Sequence, residues 1–205
     1  MSDSTGDAEG SPAAKIALRS QLITARRRLP ATDRLAAAAQ LQSHILAFVR
    51  REKPSTIAAY VPVGAEPGGA DLPVALAAFA QVLLPVLLPD GDLDWAEFDG
   101  TLGDAPRGLR EPAGPRLGVD AIRTAELVLV PALAVDRAGM RMGRGGGSYD
   151  RVLARLAAPR PLVAALLHDG ELVDLVPAEP HDRPVDAIVT PRGGWTLNHG
   201  AEWTK

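Results

Sequence analysis

The residues best equipped for chemistry lie in one run, Asp136-Arg-Ala-Gly-Met-Arg-Met-Gly-Arg-Gly-Gly-Gly-Ser-Tyr-Asp-Arg151, directly after the apolar segment 127–130. Gly143, Gly145, Gly146 and Gly147 carry no Cβ, so successive backbone N–H groups can converge on one concave point. Arg137, Arg141 and Arg144 add positive charge in and around that loop, and polyphosphate is the ligand chemistry this combination suits. The chain then turns helical over 148–156, where Tyr149, Val152, Leu153 and Leu156 share one face, and a helix N-terminus adds partial positive charge. Strand, glycine-rich basic loop and helix together predict a phosphate cradle. The competing reading is a flexible loop with solvated arginines.

Two familiar cradles are disfavoured. A Walker A loop needs a Gly-Lys pair followed by Ser or Thr, and this loop has no lysine. A dinucleotide fingerprint counted from Gly143 puts Ser148 where the third glycine belongs. Two acids lie in suggestive places: Asp150 in the first turn of the helix, and Asp182 in Glu-Pro-His-Asp-Arg-Pro-Val-Asp186. Magnesium takes one or two carboxylates beside phosphate oxygens and water, so this pair would suffice. Helix-dipole compensation by Asp150 and loop capping by Asp182 are the competing readings.

These residues need a scaffold, and the periodicity supplies one. Leu18, Leu22, Ala25 and Leu29 repeat at helical spacing, while Lys15, Arg19 and Arg26 gather on another face; by periodicity alone such a basic face is a solvated one. Pro30 ends this helix, and Thr32 is placed to cap a second, with Leu35, Ala38, Leu41, Ile45 and Phe48 as its stripe down to Pro54. Apolar runs at 57–60, 82–84, 127–130, 162–167 and 187–189 predict buried strands, with a further helix near 72–79. Pro85 argues against an unbroken strand over 82–88. The pattern is α/β: a single layered domain with a mainly parallel sheet flanked by helices.

Composition narrows the function classes. A chain of 205 residues, 46% hydrophobic, suits one core. We expect a disordered tail over 1–12, the domain over 13–191 and a polar C-terminal tail over 192–205. A net charge of -3 argues against a general nucleic-acid partner. The absence of cysteine excludes disulfides, thiolate metal sites and cysteine nucleophiles. No apolar run is long enough to span a bilayer, so no membrane partner and a cytoplasmic location are expected.

The assembled residues resemble the 5-formyltetrahydrofolate cyclo-ligases. The resemblance runs over about 15–190 and has separated parts in order. They are Lys15-Ile-Ala-Leu-Arg19, the segment 60–66, Leu109-Arg-Glu-Pro112, the glycine loop with Tyr149-Asp150-Arg151, and His181-Asp182 with Val185-Asp186 and Thr190. It implies a fold of the ribose-5-phosphate isomerase/CoA-transferase kind. It also implies ATP-dependent conversion of 5-formyltetrahydrofolate to 5,10-methenyltetrahydrofolate with release of ADP and phosphate, with ATP as co-substrate, Mg2+ as cofactor and a monomer as the expected state.

The same resemblance assigns residues. ATP would be held by Lys15, Arg19, Arg141, Met142, Gly143, Arg144, Gly145, Gly146, Gly147, Ser148 and Tyr149, with Arg141, Arg144 and Tyr149 acting in catalysis. Asp150 and Asp182 would hold magnesium; Val61, Glu66, Trp95 and Tyr149 would bind folate, with Glu66 reading the pterin edge. Tyr149 also reads as core, and Trp95 and Phe98 are equally suited to walling a pterin pocket or to packing. Two departures stand out: Pro67-Gly-Gly-Ala70 replaces the family's polar residue and threonine after the glutamate, and Ser148 replaces a frequent tyrosine. A folate-binding reservoir with little turnover and an ATP-dependent ligase acting on another amide are the alternative functions.

Overall fold

The computed structural model describes residues 12–156, 160–179 and 182–198. The expected N-terminal tail and His181 lie outside the described residues, apart from Pro12, which opens the first helix. Among the described residues four α-helices, α1 (Pro12–Arg28), α2 (Ala31–Glu52), α3 (Leu72–Ala77) and α4 (Ser148–Ala154), accompany twelve strands.

Seven strands form the main sheet: β1 (Thr56–Ala58), β2 (Gln81–Leu87), β3 (Leu93–Glu97), β6 (Leu127–Pro131), β9 (Leu162–Leu166), β11 (Ala187–Thr190) and β12 (Gly194–Leu197). Their order is β12-β11-β9-β6-β1-β2-β3, with β11, β9, β6, β1 and β2 parallel and the two edge strands antiparallel. The parallel strands read as continuous apolar runs because both faces of the sheet are covered. Ile57, Leu127, Leu129, Leu162 and Leu166 point to the face that α2 covers with Leu41, Ile45 and Phe48. Ala58, Val128, Val130, Val163 and Ala165 point to the other, where Ile122, Val152 and Leu153 cover them. Two small sheets complete the fold: β10 (Leu172–Val173) with β7 (Ala134–Asp136) and β8 (Arg141–Met142), and the hairpin β4 (Leu102–Ala105) with β5 (Leu109–Pro112).

Four details differ from the sequence expectations. β2 runs unbroken through Pro85. Pro85 lies opposite Trp95 on β3, and the Trp95 carbonyl turns away to accept from Leu117 N, so that pair makes no ladder hydrogen bond. On the other side the β1 pairing has already ended at Leu83, so the missing N–H interrupts nothing. Thr32 does not cap α2; the helix starts at Ala31 behind Pro30, with no side-chain cap, and the Thr32 hydroxyl donates to Asp33 Oδ1 at 3.2 Å. The sheet continues past residue 191 into β12, which Trp195 anchors by stacking on Phe48 at 4.2 Å and donating from Nε1 to His44 O at 3.1 Å. Between β6 and α4 the chain inserts the β7–β8 hairpin before the glycine loop.

From β1 the chain moves to β2 on one side, while β6 flanks β1 on the other, so the carboxyl ends of β1 and β6 form the sheet's topological switch point. In open α/β sheets that crevice is where ligands bind.

Candidate active site

A cavity of ≈ 610 Å³ occupies this switch point. Tyr60, Val61 and Glu66 enter from beyond β1, and Pro131, Ala132 and Leu133 from the end of β6. The glycine loop contributes Gly143 to Gly147 without a break, followed by Ser148, Tyr149 and Asp150. Lys15, Arg19 and Arg26 reach in from α1, and the β4–β5 hairpin supplies Arg107, Leu109, Arg110 and Glu111.

The loop is aimed by the turn before it. Asp136 is buried, and its Oδ1 accepts from Ala138 N and Met140 N, both at 2.9 Å, while Oδ2 accepts from Val176 N at 3.0 Å. Gly139 is required in that turn, since its φ is +84° and a Cβ there would stand 2.5 Å from Val185 O. The tight turn delivers Arg141 into the cavity. Its side chain is only 3% exposed, donates to Asp150 Oδ1 at 2.6 Å and to Pro131 O at 3.1 Å, and leaves Nε with no partner. A Cβ on Gly143 would meet Arg141 Nη1 at 2.8 Å, so this glycine allows the guanidinium to lie against the loop backbone.

α1 closes the opposite wall through buried charge. Lys15 Nζ donates to Asp182 Oδ2 at 2.6 Å and to Glu179 Oε2 at 2.7 Å. Burial acts to lower the Lys15 pKa, but the hydrogen bonds to Asp182 and Glu179 outweigh it and hold the ammonium above its ordinary value. Arg26 pairs with both oxygens of Glu171, Nε to Oε1 at 2.6 Å and Nη2 to Oε2 at 2.7 Å, and also donates to Ala132 O. Arg19 Nε donates to Gly143 O at 3.2 Å. The basic face is therefore not solvated: Lys15 and Arg26 are buried and all three cations line the cavity.

The substrate-side residues form a second group. Glu66 accepts from Val63 N at 2.9 Å through Oε2, and its Oε1 stands 3.5 Å from Arg144 Nε. Burial, the Glu66 charge and, in the opposite sense, Arg141 together hold the Tyr149 hydroxyl far above the usual phenol range, so it stays protonated. Its ring lies 5.9 Å from the Arg141 guanidinium and packs against both core layers, so the core and cavity readings both hold. The Tyr60 hydroxyl is likewise raised, first by burial and then by Glu66, and donates to Pro67 O at 2.6 Å. With Gln42 Nε2 donating to Gly68 O at 2.8 Å, this pins the departing Pro67-Gly-Gly segment.

Three expected residues fall elsewhere. Trp95 is 0% exposed in the second core layer and does not line the cavity; it shares a face of β3 with Leu93, and of the two only Leu93 reaches the cavity. Phe98 packs in the first core layer, and the Met142 side chain is fully buried against Leu133, Ala134 and Val176, leaving only its backbone next to the loop. Val61, Glu66, Lys15, Arg19, Arg141, Gly143, Arg144, Gly145, Gly146, Gly147, Ser148, Tyr149, Asp150 and Asp182 all come together. Sequence reasoning missed Tyr60, Glu179, Arg107 and any cavity role for Arg26; the shared face with Lys15 and Arg19 was the available signal for Arg26.

The molecule is an α/β protein with a cationic, glycine-lined crevice at the switch point of its sheet, the place where open α/β sheets bind ligands. The model of the 5-formyltetrahydrofolate cyclo-ligase family matches residues 11–191, and the chain belongs to that family. It is similar to a 5-formyltetrahydrofolate cyclo-ligase of Mycolicibacterium smegmatis, 43% identical over 191 residues, or 90% of this chain and 97% of the relative. Its fold matches a 5,10-methenyltetrahydrofolate synthetase of Aquifex aeolicus with TM-score 0.78 and 23% identity, covering 93% of this chain and 96% of that one. It also matches a 5,10-methenyltetrahydrofolate synthetase of Mycoplasma pneumoniae with TM-score 0.67 and 20% identity, covering 85% and 96%. Among the described residues no helix is long and apolar enough to cross a membrane.

Proposed function

We propose that the chain converts 5-formyltetrahydrofolate to 5,10-methenyltetrahydrofolate at the expense of ATP, releasing ADP and phosphate. The observation that carries this reading is the meeting in one cavity of the glycine loop, four cations (Lys15, Arg19, Arg141, Arg144), the paired acids Asp150 and Asp182, and Glu66 beside Tyr149. A formamide oxygen is a poor leaving group. Transfer of the γ-phosphoryl group to it makes an imidate-like phosphate; N10 then attacks the formyl carbon, and the C–O bond breaks as phosphate leaves. Nothing in this sequence needs an enzyme nucleophile, so alignment and charge neutralisation supply the catalysis.

The loop N–H groups and Arg19 orient the phosphates, and Arg141 and Arg144 balance charge on the transferring group. Glu66, already fixed by Val63 N, accepts from the pterin edge, and the neutral Tyr149 hydroxyl donates within the same space. The donor chemistry suits magnesium, since Asp150 and Asp182 line the same cavity as the glycine loop and magnesium asks for only one or two carboxylates beside phosphate oxygens. Asp150 and Asp182 would hold it, and when bound it would neutralise phosphate charge.

The test is a mixture of protein, 5-formyltetrahydrofolate, ATP and magnesium, followed by absorbance. The conjugated methenyl product absorbs at longer wavelength than the substrate, so the expected result is a growing long-wavelength band with stoichiometric ADP. Folate binding without that band points to a reservoir. ATP hydrolysis driven only by a different amide points to a broader ligase.

A further inference from the structure

Helix α4 is seven residues long, too short to hold its own position in water, so its contacts must fix it and the glycine loop it anchors. One face is apolar: Tyr149 touches both core layers, and Val152 and Leu153 are buried. The opposite face carries Ser148 and Arg151, continued by Arg155 just after the helix, and all three reach the same partner, the turn 88–92 between β2 and β3. Ser148 Oγ donates to Gly91 O at 2.6 Å, and Arg151 Nη2 donates to that carbonyl at 2.5 Å. Arg155 forks onto Asp92, Nη1 to Oδ1 at 2.9 Å with Nη2 on Oδ2, and Asp92 Oδ1 also accepts from Leu93 N at 2.8 Å. Gly91 has φ +81°, a left-handed conformation that favours glycine at the turn tip, and a Cβ there would push against Arg151 Nη2 at 2.9 Å.

Neither Asp92 nor Arg155 lines the cavity, yet Leu87 and Leu93 at the base of the same turn do. The seam therefore joins one wall of the cavity to the end of the glycine loop. Ser148 has a particular part in this: its short side chain lets the turn carbonyl approach the first residue of α4. We propose that Asp92 and Arg155, with Ser148 and Gly91, are positioning residues that hold the glycine loop in its nucleotide-binding shape. This rests on the ATP-dependent reading given above. Tyr149 keeps its place through the two core layers, so loosening the seam disturbs the loop and spares the folate side.

The experiment uses the full chain carrying Asp92→Asn, Arg155→Met or the conservative Arg155→Lys, with two readouts. In the free protein, amide exchange across 143–149 should quicken about tenfold in the first two variants while exchange in β6 stays as in wild type. In the assay, the KM for ATP should rise about tenfold in the same two variants, with kcat and the KM for 5-formyltetrahydrofolate changed less than about twofold. Arg155→Lys, which keeps the charge but loses the fork onto both Asp92 oxygens, should fall between wild type and Arg155→Met in both. Unchanged loop exchange in Asp92→Asn overturns the proposal, as does an equal rise in both KM values. If wild type shows no ATP-dependent turnover, the functional reading fails, and the exchange comparison still decides the seam.

Discussion

Glu66 meets two demands at once: one oxygen is fixed by Val63 N, and the other faces Arg144 across 3.5 Å. A carboxylate held this way is pre-oriented, and losing its charge removes a charge-assisted hydrogen bond worth about 1.5–3 kcal/mol. Glu66→Gln should therefore weaken 5-formyltetrahydrofolate binding roughly 10-fold to 100-fold, with ATP affinity nearly constant, as separate titrations will show. Loss of ATP affinity with unchanged folate affinity would move this side chain to the nucleotide half. Asp150 behaves differently from what its place in a first helical turn suggests. Sequence alone makes it a tolerant position, but its partner Arg141 is buried, so Asp150→Asn should cost about 1.5–3 kcal/mol in denaturant unfolding as well as raising the magnesium requirement for turnover. The loop residues were legible because their types announce phosphate chemistry. The partners Pro131 O for Arg141 and Gly91 O for Ser148 were not, since backbone carbonyls leave no mark in a sequence.

At the scale of elements, α1 has a small apolar contact surface, Leu18, Leu22 and Ile23 against Leu133, Ala134, Met142 and Val176, and much of its hold on the domain is ionic. Arg26 and Glu171 are 5% and 8% exposed, so removing one partner leaves the other buried and uncompensated. Arg26→Met should destabilise by about 3–5 kcal/mol, and adding Glu171→Leu should recover part of that loss. Recovery stays incomplete because Glu171 also accepts from His168 N at 2.7 Å. Denaturant midpoints for the single and double variants check this, and a double variant worse than Arg26→Met contradicts it. The α/β class was readable because buried parallel strands are nearly pure apolar runs and α2 buries Leu41, Ile45 and Phe48 of its expected stripe, although Leu35 at its start is exposed. What escaped were elements defined by pairing. β12 gains its strand character from Trp195 and its ladder to β11, β7 and β8 are three and two residues long, and Pro85 is tolerated only because the β1 pairing ends before it. Each depends on a neighbour distant in sequence, which periodicity does not report.

Across the whole molecule, the cavity is enclosed by α1, the glycine loop, the segment after β1 and two hairpins, and its ionic ties predict how stability responds to pH. The Asp92 carboxyl is held below the usual carboxylate range, chiefly by its hydrogen bonds to Arg155, with burial opposing and Leu93 N assisting. A group depressed in the folded state contributes stability that is complete above its unfolded value, about 3.9, and is lost as pH falls through the folded one. On the alkaline side the buried Tyr60 and the half-buried Tyr149 stay neutral because desolvation disfavours the phenolate, while the unfolded chain ionises its tyrosines near about pH 10, so stability declines above that point. Lys15, raised above its ordinary value, acts in the same sense, its contribution being present below that value and lost as pH climbs past the folded one. Thermal midpoints should thus form a plateau between about pH 5 and pH 9 with a fall on each side. Asp92→Asn should lower that plateau and flatten the acid fall, so that the variant and wild-type curves converge once the pH has fallen through the depressed folded-state value of Asp92, while their alkaline limbs remain parallel. Curves that stay parallel through the acid limb would show that Asp92 carries the same charge dependence folded and unfolded, and the ion pair with Arg155 would then have no part in holding the turn to α4.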